Sequence, residues 1–285
     1  MLRILCSNCD ADISDCSDRF CPTCGQDIGF PNVRDANRKE EREALEARYK
    51  KAVDDSKANH SHPSLENFEK IAQTSSAVIN INIDHLHRFL TYDNELYSTY
   101  DLQVSGQTRK SAKTQDDRDR RTVEAMLFGG YGQEIRYAAL SLDGIGLKSY
   151  GACAVKLRDI AIAKRATVLE KNSYHFLEEH GIKFKDPIPP GYKAIWQERH
   201  KVAVAKLAAE ISSSTSPDDY PKILLFSEGN RQTDRFIEVH IFGAFDNNAI
   251  ESVLGKTPAK NKPESAWIAG IKDYLAVVGK DWIEE

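Results

Sequence analysis

The 285-residue sequence lacks any apolar run near the roughly 20 residues of a membrane-spanning helix, so we predict no contact with a membrane. It also lacks a long apolar stretch near its N-terminus, so no secretory signal is expected. The formal net charge of −4 excludes a polycation that binds nucleic acid by bulk charge. With 41% hydrophobic and 29% charged residues, the composition predicts a soluble, globular, cytoplasmic protein of one large or two smaller domains.

Several signatures of nucleotide binding and catalysis are missing. Residues 255–257 read GKT, but Ile250 stands where a Walker A motif needs glycine, so no P-loop is predicted. Gly144 and Gly146 follow an apolar segment, yet the next glycine, Gly151, comes two residues late for a Rossmann turn. No Ser-His-Asp pattern and no internal repeat stand out.

Cysteine is concentrated at one end of the chain. Two CxxC pairs, Cys6 with Cys9 and Cys21 with Cys24, lie close enough to form two knuckles around one tetrahedral metal ion. A disulfide or redox pair is the alternative, but two such pairs without an export signal favour structural Zn²⁺. Gly25 suits the left-handed turn that a knuckle needs. Cys16 is predicted to be a spare thiol, and Cys153, far along the chain, a core residue.

The segment that contains the cysteines has a negative net charge. Residues 1–31 carry two arginines against five aspartates, a net charge of 2 − 5 = −3, and thiolates around zinc add negative charge. This balance disfavours contact with phosphates and favours a structural or protein-docking role. A shell closed by four thiolates also leaves no position for a substrate, which argues against zinc catalysis.

The sequence divides into three segments. We predict a zinc ribbon over residues 1–31, a charged helical linker over 32–62 and the main domain over 63–285. Residues 33–57 contain no glycine or proline and show only one weakly apolar stripe, which predicts a solvated connector helix.

Within the main domain the pattern predicts an α+β fold with strands in the middle and helices at the margins. Strands are predicted at residues 77–83, 134–142, 150–158, 165–170, 222–228 and 235–242. Helices are predicted from Tyr192 to about residue 211, after Asp246 and over residues 263–278. Residues 105–121 are polar, with six basic and three acidic side chains, and predict a mobile loop that either guides a polynucleotide or only aids solubility.

The order of landmarks over residues 78–255, about three-fifths of the chain, resembles a bacterial domain family that looks to belong to the ADP-ribosyltransferase superfamily. The matching pieces are VININIDHL (78–86), YSTYDLQVSG (97–106), the run Arg118…Glu124…Phe128-Gly129-Gly130, IRYAALSL (135–142), Tyr150-Gly151, LRDIAIAKRATVLEKNS (157–173) and IEVHIFGAF (237–245). The resemblance implies a split, strongly bent β-sandwich that holds NAD in a cleft, without a glycine-rich Rossmann turn.

The resemblance also implies the chemistry, which is cleavage of the bond between nicotinamide and ribose. The matching carboxylate is Glu238, which would hold a ribose hydroxyl and face the positive charge of an oxocarbenium-like transition state. His240 lies two residues on and therefore on the same face of the strand. Ser173 is at the place of a polar residue that positions the ribose, so Glu238, Ser173 and His240 form the expected catalytic set.

Contacts to NAD are expected from a second set of residues, which the resemblance places around the cleft. Tyr100 and Tyr150 are expected to stack on nicotinamide, and Arg136 to neutralise the diphosphate. The set comprises Asn82, Tyr100, Arg136, Tyr150, Gly151 and Asn172. Asn82 departs from the family pattern, because related first strands offer histidine or arginine at this place.

The sequence therefore predicts an NAD-dependent ADP-ribosyltransferase, a toxin or anti-phage effector that modifies a macromolecule. Nucleic acid is slightly favoured over protein as the acceptor, and an antitoxin or immunity protein is a possible partner. Two alternatives stay open. One is a non-enzymatic zinc-ribbon adaptor that binds protein or nucleic acid, and the other is an NAD glycohydrolase that uses the same cleft.

Overall fold

The computed structural model describes residues 3–92, 95–97, 114–259 and 261–285, with side chains from residue 120 onward in the segment that begins at 114. The strands are β1 Ser76–Ile81, β2 Ile135–Ser141, β3 Cys153–Leu157, β4 Ala166–Leu169, β5 Lys193–Ile195, β6 Glu238–Phe242, β7 Ile250–Gly255 and β8 Asp281–Glu284. The helices are α1 Pro31–Ala36, α2 Lys39–Ala58, α3 His62–Ala72, α4 Ile83–Thr91, α5 Thr114–Phe128, α6 Asp159–Ile162, α7 Ser173–Glu179, α8 Arg199–Leu207, α9 Tyr220–Leu224 and α10 Glu264–Val277.

All eight strands belong to one mixed sheet, in the order β5-β4-β6-β2-β1-β3-β7-β8. Every neighbouring pair is antiparallel except β7 and β8, which are parallel. The fold is therefore α+β, as the sequence predicts. Within the described part of the chain, no helix combines the length and apolar character needed to cross a membrane.

Strand β2 changes partner along its length. Residues 135–139 pair with β6, whereas residues 139–141 pair with β1, so that Ala139 lies opposite both Glu238 and Val78. The resemblance implies a split sandwich, and the described strands instead form one continuous ladder with this change of partner at its middle. β4, β5 and β6 lie on one side of that change, and β1, β3, β7 and β8 lie on the other.

Helix α2 packs against the sheet half that contains β4, β5 and β6. The chain bends at residues 37–38, so the predicted connector becomes two helices, α1 and α2. The stripe that the sequence shows on α2 is its buried face: Leu45 and Ala52 belong to the same core as α3, α8 and the sheet. The prediction of a solvated connector is therefore wrong for this face of the helix.

Two elements of the structure differ from the predicted ones because of local backbone preferences. The predicted helix from Tyr192 begins as β5, which pairs with β4, and turns helical only at α8. The predicted strand 222–228 begins inside α9, whose first turn accommodates Pro221, and only Phe226 forms a β-bridge, with Arg235. The predicted last helix is confirmed as α10, and β7 and β8 were not predicted.

Part of the predicted loop 105–121 is also helical. Residues 114–121 belong to α5, because the stretch is rich in residues that tolerate a helix and has no glycine or proline. The helix predicted after Asp246 is a single 3-10 turn, and the Asp246 side chain caps it by accepting a hydrogen bond from the Asn248 N–H. Cys153 on β3 is fully buried, and burial raises the pKa of its thiol to about 12, as suits a core residue.

Candidate active site and metal centre

The candidate active site forms where β4, β6 and the start of α7 meet. Alternation along β6 places Glu238 and His240 on the same face of the sheet. Leu169 of β4 lies opposite Glu238, and the chain then turns so that Ser173 begins α7 directly over the carboxylate. Asn172 caps this helix through its side-chain oxygen, which accepts hydrogen bonds from two backbone N–H groups.

Glu238 is held by hydrogen bonds on both of its oxygens. Asn172 Nδ2 lies 3.2 Å from Oε1, while the backbone N–H of Ser173 donates to Oε2 at 2.9 Å. The Ser173 hydroxyl also donates to Oε2, and His240 Nε2 lies 2.9 Å from the same oxygen. Glu238, Ser173 and His240 are only 5%, 3% and 4% exposed. These donors offset the free-energy cost of burying a carboxylate.

The geometry does not match a serine-nucleophile relay. In such a relay the serine and the acid bind different nitrogens of the histidine. Here Ser173 Oγ lies 3.2 Å from His240 Nε2, and Glu238 Oε2 binds that same nitrogen. The arrangement instead presents a positioned carboxylate, which is suited to stabilise positive charge or to hold a hydroxyl group.

Aromatic rings and a second carboxylate surround His240. The rings of Tyr137 and Phe128 meet the imidazole edge-on, at centroid distances of 5.4 and 4.9 Å. The Tyr137 hydroxyl lies 3.3 Å from Glu124 Oε1, and Arg120 Nε lies 3.3 Å from the same oxygen. Burial, and then the charges of Glu124 and Glu238, raise the pKa of Tyr137 well above its usual value, so the phenol stays a neutral donor.

Sequence reasoning did not identify Tyr137 as a site residue. Glu124 belongs to the resemblance only as part of the matching run. Tyr137 reaches the site because β2 pairs with β6, placing it directly opposite His240. That pairing joins segments about 100 residues apart, and only the resemblance could have signalled it.

Tyr150 lies within electrostatic reach of Glu238. Burial, followed by the charge of Glu238, raises the pKa of Tyr150 to about 12. The guanidinium of Arg231 lies over its ring, 4.5 Å from the centroid. Arg231 stands in a loop that sequence reasoning had assigned no role, and it supplies positive charge beside the predicted stacking residue.

Three other predicted NAD contacts have different immediate neighbours. Arg136 alternates with Tyr137 and so points to the opposite face of the sheet, where its guanidinium donates to the Glu134 carbonyl at 2.6 Å. Asn82 is an exposed residue immediately before α4. Gly151 packs against the backbone of Ile81, where a Cβ would come within 2.3 Å of the carbonyl carbon. The structure thus brings Glu238, Ser173, His240 and Asn172 together, with Tyr150 close by.

Two sequence predictions fall outside the described residues. Tyr100 and most of the matching segment 97–106 belong to the part of the chain that is not described. The same holds for residues 105–113 of the predicted loop. Their predicted roles, nicotinamide stacking for Tyr100 and guidance of a polynucleotide for the loop, stay predictions.

The four predicted metal ligands converge at the N-terminal ribbon. The ligand atoms of Cys6, Cys9, Cys21 and Cys24 all lie within 4.8 Å of one another. Cys6 Sγ lies 3.7 Å from Cys24 Sγ, and Cys9 Sγ lies 3.7 Å from Cys21 Sγ. A tetrahedron with metal–sulfur bonds of about 2.3 Å has sulfur–sulfur edges of about 3.8 Å, so the four thiols could hold one metal ion.

Each CxxC pair forms a tight knuckle. The Asp10 N–H donates to the Cys6 carbonyl at 2.9 Å, and the Gly25 N–H donates to the Cys21 carbonyl at 2.8 Å. Gly25 has φ +74°, which is the left-handed turn that the sequence predicts, and Asp10 fills the matching place with φ +55°. Cys16 lies outside the group, with its Sγ 3.7 Å from the Asp18 carbonyl.

The ribbon thiols differ in acidity. Hydrogen bonds from the Asn8 side chain and from the backbone of Gln26 lower the pKa of Cys24 to about 6. The pKa of Cys9 is lowered by the backbone of Ala11 but raised by the neighbouring thiols, with a net rise to about 12. Metal binding would therefore release protons and strengthen as the pH rises.

The segment after the ribbon touches the back of the candidate active site. Asn32 of α1 is buried, and its Nδ2 donates to the carbonyl of His240 at 3.2 Å and to that of Arg165 at 3.0 Å. Arg34, two residues on, donates to the ribbon carbonyls of Cys16 and Asp18. Helix α1 thus joins the metal centre to the strand that carries Glu238.

Comparison with known proteins adds no relative to this description. No protein-family profile matches the chain, and no curated protein matches it either. What the site can do chemically follows from its geometry: a buried, hydrogen-bonded carboxylate flanked by a hydroxyl, an imidazole and two neutral phenols. Such a set can bind hydroxyl groups and stabilise a developing positive charge.

Proposed function

We propose that the protein is an NAD-dependent ADP-ribosyltransferase, with Glu238 as its catalytic carboxylate. The observation that carries the proposal is the contact between Ser173 and Glu238, through both the backbone N–H and the hydroxyl of Ser173. The resemblance pairs these two positions functionally, although 65 residues separate them in the sequence. The two positions meet in a buried site. This supports the proposal, because a chance similarity of weakly specific motifs gives no reason for them to meet.

In the proposed reaction, Glu238 accepts a hydrogen bond from a hydroxyl of the nicotinamide-side ribose. The bond between nicotinamide and ribose breaks, and the ring develops oxocarbenium character that the carboxylate stabilises. Ser173, Asn172 and His240 hold the carboxylate in place, so that little reorganisation accompanies the development of charge. Tyr150, neutral below about pH 12, offers a ring surface and a hydroxyl beside the carboxylate.

The proposal has two further parts. The ion held by the four cysteines is proposed to be Zn²⁺ with a structural role, because four thiolates complete its shell. The acceptor is proposed to be a macromolecule, with nucleic acid slightly ahead of protein, in a toxin or anti-phage setting with a neutralising partner. A cytoplasmic location belongs to the same proposal.

The test is transfer from NAD labelled in its adenosine half to separate pools of protein, RNA and DNA. Glu238→Gln keeps the shape of the side chain and removes its charge. We expect it to lower label transfer about a hundredfold to a thousandfold, the usual effect of removing one electrostatic group from a transition state. Glu251→Gln is the matched control, because Glu251 is an exposed strand glutamate paired with Lys156.

Each outcome separates the proposal from its alternatives. Label in one pool, lost in Glu238→Gln and kept in Glu251→Gln, supports transfer and identifies the class of acceptor. Release of free ADP-ribose alone supports the NAD glycohydrolase. An absence of NAD turnover in every pool contradicts the enzyme and favours the zinc-ribbon adaptor.

A further inference from the structure

A second groove, of about 770 Å³, lies beside the end of β4. Its walls are α7, the end of α8 and residues 232–235. Leu169, opposite Glu238, faces the candidate active site, whereas the next residue, Glu170, faces the groove and pairs with Arg48 of α2 at 2.6 Å. The groove adjoins the Glu238 site, because α7, one of its walls, begins with Ser173, which contacts Glu238.

Asp234 lines this groove with an unsatisfied carboxylate oxygen. The residue is only 6% exposed, and its Oδ2 accepts a hydrogen bond from the Ser149 hydroxyl. Its other oxygen, Oδ1, is buried and has no hydrogen-bond partner among the described residues. A buried carboxylate without a counter-charge is costly in free energy, and a bound cation relieves that cost.

Lys206 lines the same groove with the opposite charge. Its Nζ donates to the carbonyl of Phe236 at 2.9 Å, two residues from Asp234. Burial lowers the pKa of Lys206 to about 8, and the nearest carboxylates, Glu170 and Glu210, only partly oppose this shift. An anion placed beside the ammonium would restore the charged form.

The other basic side chains around the groove already have protein partners. Arg48 pairs with Glu170, Lys171 with Glu179, and Arg235 with Glu210. Asp234, which is buried, and Lys206, which is partly buried, are thus the two lining charges whose described contacts are an uncharged hydroxyl and an uncharged carbonyl.

We propose that this groove binds a basic amino acid, with its side-chain guanidinium or ammonium at Asp234 and its carboxylate at Lys206. A basic amino acid carries a cation at one end and a carboxylate at the other, which complements the Asp234 carboxylate and the Lys206 ammonium. The acidic surplus also favours such a ligand: five acidic and four basic side chains line the groove, aside from His175. The ligand is either a free amino acid or an arginine or lysine residue near the end of a peptide chain.

The test is isothermal titration calorimetry of the full-length, metal-loaded protein with L-arginine. We expect saturable binding with one site per chain. Asp234→Asn should weaken it about thirtyfold, since truncating one partner of a buried charge pair costs at least that much. Asp273→Asn, an exposed aspartate on α10, is the matched control and should leave binding unchanged.

A second variant tests the other end of the ligand. Lys206→Gln should weaken L-arginine about tenfold or more but leave agmatine, which lacks the carboxylate, unaffected. Tight binding of a peptide with C-terminal arginine together with weak binding of L-arginine identifies a peptide chain as the source of the ligand. The opposite order identifies the free amino acid.

Two results would overturn the proposal. The first is the absence of saturable binding by L-arginine, L-lysine, agmatine and the peptide to the wild-type protein, which requires no variant to fold. The second is binding that Asp234→Asn and Lys206→Gln both leave unchanged. Neither result bears on NAD turnover at Glu238.

Discussion

Ser173 is the residue on which the order of the candidate active site depends. Its hydroxyl contacts both Glu238 and His240, and its backbone N–H also donates to Glu238. Substitution of the side chain removes the hydroxyl and keeps the backbone contact. The effects on activity and on stability can therefore be separated at this position.

Ser173→Ala should lower NAD turnover about tenfold to a hundredfold, because Glu238 loses a donor that fixes its position. It should also lower the free energy of unfolding by about 1–3 kcal/mol, the cost of leaving a buried acceptor less satisfied. Rates of NAD consumption and urea unfolding curves measure the two effects. Ser213→Ala, an exposed loop serine, is the control, and equal rates in the two variants would contradict the assigned role.

Lys206 links stability to pH. Its folded-state pKa of about 8 is below the ordinary value of 10.5, so the unfolded chain binds more protons at this position between those two values. The contribution of Lys206 to the free energy of unfolding must therefore rise as the pH rises through this range. Relative to Lys206→Met, the wild type should gain about 2 kcal/mol between about pH 7.5 and about pH 10.

Chemical denaturation at several pH values checks this linkage. The comparison with Lys206→Met cancels the titration of the other lysines, which both proteins share. A difference between the two proteins that stays constant across the range would mean that Lys206 titrates at its ordinary value.

At the scale of the elements, the backbone at the end of β1 lies very close to the backbone of the segment before β3. Gly151 lies against Ile81, with a hypothetical Cβ 2.3–2.6 Å from three backbone atoms. Gly151→Ala should therefore lower the free energy of unfolding by about 3 kcal/mol or more. Gly130→Ala, where no heavy atom lies within 4 Å of the added Cβ, should change it by about 0.5 kcal/mol or less.

Thermal unfolding and NAD binding of the two glycine variants distinguish a packing role of Gly151 from a role in binding NAD. The sequence interpretation places Gly151 among the NAD contacts. A stable Gly151→Ala protein with weakened NAD binding would support that interpretation, whereas a strongly destabilised one supports the packing role.

Elements whose side chains carry a clear local pattern could be predicted from the sequence. β2 and β4 are apolar runs with β-branched or aromatic residues, and α10 has helical periodicity, so all three were predicted within a residue or two. β5 and β8 are short edge strands that exist because a neighbouring strand offers free hydrogen-bonding groups. No local pattern reports such pairing, which is why both were missed.

The candidate site was only partly predictable for the same reason. Glu238, Ser173 and His240 came from the resemblance, and alternation along a strand is enough to place Glu238 and His240 on one face. Tyr137 and Arg231 join the site through pairing and loop geometry between distant segments, so sequence spacing could not reveal them. Arg136 is the opposite case. The sequence predicts that it contacts NAD, but the register of β2 places its side chain on the other face of the sheet.

On the scale of the whole molecule, the ribbon and the sheet have cores of different size. The buried apolar residues of the ribbon are Cys6, Ile13 and Cys21, whereas the sheet shares a core with most of the helices. A segment with so small a core folds only when metal binding supplies the free energy. The two parts should therefore respond differently to removal of the ion.

A membrane-permeant zinc chelator should unfold the ribbon and leave the sheet intact. Hydrogen–deuterium exchange followed by mass spectrometry should show loss of protection over residues 3–29, with protection of β2, β4 and β6 retained. Restored protection on addition of Zn²⁺ would complete the test. Loss of protection across the sheet as well would mean that the metal centre stabilises the whole chain.

The position of β6 in the sheet has a consequence for biosynthesis. β6 inserts between β2 and β4, both of which leave the ribosome well before it. Until residue 242 is available, the edges of β2 and β4 have no strand between them, and the carboxylate of Glu238 has not joined Ser173. The nascent chain therefore holds an incomplete sheet until β6 has been made, and the candidate site assembles only then.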